Sequence, residues 1–140
     1  MQQFINKLAL NPKRIFLIDG LGAFLTVLFL LIISRTLNEY VEMPKMILNI
    51  LSVTASVFCI YSLYCFLFLS DKKLYPFLRA IIIANILYSC LTLGLVIYNY
   101  SRLTIVGVTY FLLETAVIFS LVFFEINVLT IHKDRRRTDF

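Results

Sequence analysis

Tryptophan is absent from the 140 residues, histidine occurs once, and there are only three cysteines, three prolines and four glycines. The lone His132 follows the last apolar stretch, so haem held by paired intramembrane histidines and a histidine-based zinc site are both excluded. Cys59, Cys65 and Cys90 form no C-x-x-C pair. Cys59 and Cys65 stand about 120° apart around a helix, which suits small buried hydrophobes better than a thiol redox couple. No G-x-S-x-G, glycine-rich phosphate loop or H-E-x-x-H occurs. No cofactor or metal is expected, and catalysis is not.

Charge is sparse as well, at 15% of residues, whereas 61% are hydrophobic and mean hydropathy is +0.91. Ordinary globular chains hold roughly 45–50% apolar residues, and a soluble fold of this length could not bury the excess. The apolar residues come in four blocks, Ile15 to Ser34, Met46 to Leu69, Phe77 to Tyr98 and Thr104 to Ile126. Each is near the roughly 20 residues that a helix needs to cross about 30 Å of hydrocarbon. Runs such as Val27 to Ile33 do not alternate polar and apolar residues, which excludes the strands of a membrane barrel. The first block is too long for a signal-peptide core, is interrupted by Asp19 and is followed by no small-residue cleavage site. The expectation is an all-α, four-helix up-and-down transmembrane bundle forming a single integral membrane domain, followed by a basic tail over 127–140.

The net charge of +5 arises from topology rather than from affinity for nucleic acid. Ten of the 13 basic residues fall on one side of such a bundle: Lys7, Lys13, Arg14, Lys72, Lys73, Arg79, Lys133, Arg135, Arg136 and Arg137. Arg35, Lys45 and Arg102 fall on the other. The positive-inside rule then places both termini and the middle loop in the cytoplasm, in an inner (cytoplasmic) membrane. The connections are too short to hold a soluble domain. Any function therefore lies in the bundle, at its faces, or with a partner such as a second copy or a larger membrane complex.

Lipid supplies no hydrophobic drive for helix association, so inward faces should carry small and polar residues. Asp19, Gly22, Ala23, Thr26 and Ser34 share a face of the first span; Asn49, Ser52, Ser56 and Cys59 share one on the second. The third has Asn85, Ser89, Thr92 and Asn99, and the fourth Gly107, Glu114 and Glu125. Glu114 stands about 15 Å from the outer end of its span, close to mid-membrane. An ionised side chain there costs about 2.5–3.5 kcal/mol on insertion scales, so Glu114, with Asn85, is the candidate intramembrane polar or ion site. Asp19, Arg79 and Glu125, each about one turn inside the cytoplasmic surface, form a candidate charge cluster in which a bidentate arginine would offset the burial of an acid. Lys133, Arg135, Arg136 and Arg137 form a candidate site for anionic headgroups.

The function expected is that of a non-catalytic accessory or structural membrane component or subunit, with the lipid bilayer as its partner. The alternative is an oligomeric proton- or cation-coupled transporter or channel using Glu114. An intramembrane lipid-modifying enzyme comes third, because no nucleophile–base pair is visible in the sequence.

Overall fold

A proline disfavours the helical region for the residue before it, and Asn11 before Pro12 leaves that region, with φ −131° and ψ 75°. The break separates helix α1, Gln2–Leu10, from α2, Lys13–Ile32. The computed structural model describes residues 1–70 and 73–138, and among these residues it contains no strand. Lys72 of the basic middle loop lies outside them.

A π-helical turn, Ile33–Leu37, carries α2 into the short α3, Asn38–Val41. Pro44 then caps α4, Lys45–Phe68, where its missing N–H goes unneeded. Pro76 sits in the first turn of α5, Leu74–Tyr98, which tolerates it for the same reason. The last helix, α6, runs over Ile105–Thr138. By length and composition, four helical segments suit a membrane crossing, Lys13–Val41, Lys45–Phe68, Leu74–Tyr98 and Ile105–Arg135, as in a multi-pass membrane protein.

Helix α6 continues through the basic segment 127–138, and the first turns of that segment have something to pack on. Ile5, Leu8 and Ala9 of α1 are buried in one cluster with Val128, and Leu129 and Ile131 lie against it. Phe4 meets Phe124 edge to face at 6.0 Å. At the opposite end a second cluster gathers Leu30, Ile33, Val41, Met43, Leu48, Leu51 and Phe111. Helix α2 packs most extensively on α4, and α5 on α6; the two pairs touch each other less.

Near Val41 the start of α6 is tied down. The Thr104 hydroxyl donates to the Tyr40 carbonyl and accepts the Gly107 N–H at 3.2 Å. Thr104 therefore caps α6 and holds it to α3 at once. Thr104→Val, which keeps the shape and removes the hydroxyl, is expected to lower stability by about 1 kcal/mol, measurable by denaturant titration in mixed micelles.

Candidate functional site

A hydroxyl in lipid can satisfy itself by bonding a carbonyl one turn back in its own helix. Thr54, Thr109, Ser120 and Thr130 do this at 2.8 to 2.9 Å. These groups need no partner and form no site. Besides Thr104, side chains that bond between helices gather in two layers.

The first layer centres on Asp19, which is only 4% exposed. Its carboxyl accepts the Ser62 hydroxyl of α4 through Oδ2 and the Asn85 Nδ2 of α5 at 2.8 Å through Oδ1. One residue further along α2, the Gly20 carbonyl accepts the Cys59 thiol at 3.4 Å. One carboxyl thus joins three helices. The fourth contributes Glu125, 1% exposed and within electrostatic reach of Asp19 and Asn85, with neither carboxyl oxygen hydrogen-bonded.

Arg79 does not complete this layer: it is exposed, and no ion pair joins it to Asp19 or Glu125. Leu78, Ile81, Ile82 and Asn85 make the buried face of α5, while Arg79 shares the outer face with Ile83 and Ile86. Lys133, Arg135 and Arg137 are exposed on the last turns of α6, and the side chain of Arg136 lies outside the described residues.

The second layer centres on Glu114, eleven residues before Glu125 and so about 16 Å away along α6. The Tyr88 hydroxyl of α5 donates to Glu114 Oε1 at 3.1 Å, and Oε2 has no partner. Glu114 is 9% exposed. Aromatic rings surround it: Phe58 meets Tyr88 edge to face at 5.9 Å, and Phe29 meets Tyr110 likewise at 6.5 Å.

Both layers border one cavity of about 280 Å³, whose walls include Asp19 and Asn85 at one end and Tyr88, Tyr110 and Glu114 at the other. Its rim between α2 and α6 consists of Leu25, Phe29, Leu113 and Val117, all exposed on the outer apolar surface. The opening is therefore lateral. No lysine, arginine or histidine lines it among the described residues. No cluster of three or more His, Cys, Asp or Glu is placed to hold a metal ion among them.

Two contributors were not singled out in the sequence. Ser62 extends the α4 stripe three residues past Cys59, and Tyr88 stands three residues after Asn85 on α5, so helical spacing was the available signal for both. No protein-family model, curated protein or solved structure matches the chain.

Proposed function

We propose that this chain is a non-catalytic component of the inner (cytoplasmic) membrane, an up-and-down four-helix bundle that admits a small bilayer-borne molecule between α2 and α6 and holds it against Glu114. One observation carries the reading: a cavity that opens sideways through an apolar rim and is bordered by Glu114, a buried acid with one carboxyl oxygen unpartnered. Ligand sites are commonly concave and mostly apolar, with a few polar groups that fix orientation. A lateral mouth takes its ligand from lipid instead of water.

The absence of catalysis is supported by the placement of the nucleophile nearest an acid. Ser62 donates to Asp19 but is fully buried and stands outside the cavity walls. Cytoplasmic termini are supported by charge: α1, with Lys7, packs on α6, whose last turns carry Lys133, Arg135 and Arg137. Those cations suit the anionic headgroups of that leaflet. Large apolar side chains are exposed on the outer surface of every span, which suits the bilayer itself, a second copy or a larger complex as neighbour.

The chain has no tryptophan, so Leu25→Trp places a single indole at the rim. In nanodiscs, bromobenzene is expected to quench it with a saturable component on top of linear partitioning. Thr26→Phe, filling the cavity beside it, is expected to abolish the saturable component. Purely linear quenching in both variants would overturn the reading.

A second reading has its own support, because Asp19, Asn85 and Glu114 border the same cavity and form a polar route along the bundle. Coupled transport of a proton or cation would then show as a flux into liposomes that Glu114→Gln removes. Unchanged flux in a folded variant would sink it.

A further inference from the structure

We infer that the cavity between α2 and α6 is a site for an organic ammonium ion with apolar substituents, its charged nitrogen seated between the Glu114 carboxyl and the faces of the surrounding aromatic rings. The inference rests on the receptacle reading above and names its ligand class. Three observations converge on it. Glu114 borders the cavity, is nine-tenths buried and keeps Oε2 unpartnered while its Oε1 is held by Tyr88, so one oxygen is fixed in place and the other lacks a donor. Phe29, Phe58, Tyr88 and Tyr110 all line the cavity, and aromatic faces within about 6 Å of a cation attract it, most strongly where water is excluded. Among the described residues the walls carry carboxyls but no lysine, arginine or histidine, so an ionised Glu114 is left for a cationic ligand to balance.

The same chemistry discriminates against other ligands. An anion would meet only carboxyls of its own sign. A calcium-like cation takes six to eight oxygens and magnesium demands a near-octahedral set; around Glu114 the walls are aromatic and aliphatic instead. Asp19 does not compete for the head, because both its oxygens are already engaged by Ser62 and Asn85. An alkylated ammonium matches on both counts: its charge is spread over a surface that is itself apolar, and its substituents can enter past Leu25 and Leu113 directly from lipid.

Benzyltrimethylammonium and neopentylbenzene share one shape and differ by a single positive charge. Titrated calorimetrically into the full chain in zwitterionic nanodiscs, with empty discs subtracted and affinities referred to the lipid phase, the ammonium is expected to bind at least ten-fold tighter. Glu114→Gln is expected to bring the two within about two-fold of each other. Tyr110→Leu, which leaves Glu114 and its bond to Tyr88 in place, is expected to weaken the ammonium alone by three- to ten-fold. Equal affinities in the unaltered protein overturn the ligand class and leave the receptacle reading standing; absence of saturable binding by either probe brings down both. A preference for the cation that survives Glu114→Gln in a folded variant also overturns the inference, and so does benzenesulfonate binding as tightly as the ammonium. If Glu114→Gln does not fold, the comparison of the two isosteres on the unaltered chain and on Tyr110→Leu decides.

Discussion

Asn85→Leu is expected to lower the stability of the chain by about 1.5 kcal/mol, as read by denaturant titration in mixed micelles. The packing lost is small, because leucine and asparagine have similar lengths and Asn85 is already buried. What changes is Asp19, which keeps the Ser62 hydroxyl and loses the Asn85 amide, one of its two described hydrogen bonds. A hydrogen bond to a charged group is worth about 1.5–3 kcal/mol in soluble proteins, and interhelical bonds in membranes average nearer 0.6 with a maximum near 1.7. The upper part of the membrane range applies here because the acceptor is a buried carboxyl. The double variant is the sharper measurement. With Asp19→Ala already made, Asn85→Leu orphans nothing, and Ser62 can turn back to a carbonyl of its own helix. The two losses are therefore expected to fall short of additivity by about 1 kcal/mol. Additive losses would show that Asp19 and Asn85 act independently.

Gly107→Val is expected to be as damaging, for a steric reason. A Cβ at residue 107 would stand 2.8 Å from the Val41 carbonyl oxygen and from Leu103 Cδ2, and 3.0 Å from Val41 Cγ1. The Leu103 side chain can rotate away, but the Val41 backbone cannot easily retreat, since Thr104 bonds both the Tyr40 and the Val41 carbonyls. Overpacking of this kind costs about 1–3 kcal/mol. Even Gly107→Ala is expected to lose stability, against the roughly 1 kcal/mol of helix propensity that alanine gains over glycine. Gly94 supplies the contrast: nothing lies within 4 Å of its added Cβ, so Gly94→Ala is expected to be neutral or stabilising. Equal behaviour of the two alanine variants would refute the account of the close approach between α3 and α6.

The difference between these two glycines is a fact of tertiary packing that the chain alone does not carry. Much else was readable. Hydropathy located the four long apolar segments, and helical spacing placed Asn85, Ser89, Thr92 and Asn99 on one face of α5, all of which are buried. On α4 the same spacing groups Asn49 with Ser52, Ser56 and Cys59, yet Asn49 is exposed, because α4 turns Leu48, Leu51 and Ser52 inward at that level. Arg79 stands apart from Asp19 and Glu125 for a similar reason, since proximity in depth does not fix rotation about a helix axis. The π-helical turn at Ile33–Leu37 and the run of α6 to Thr138 had no local signal. The turn inserts a residue into the helical register, and the run depends on α1 being there to cover Val128.

That last contact joins parts of the chain made far apart in time. Helix α1 leaves the ribosome well before its seat on α6, from Phe124 to Ile131, which is about 120 residues downstream. At 5–20 residues per second the first helix waits roughly 6–24 s for its partner. Helices α2 and α4, and then α5 and α6, can pair as sequential neighbours during that interval. Docking of α1 therefore closes the assembly sequence, and protection of Ile5 and Leu8 from labelling on stalled nascent chains would report the moment when the fourth long helix is in place.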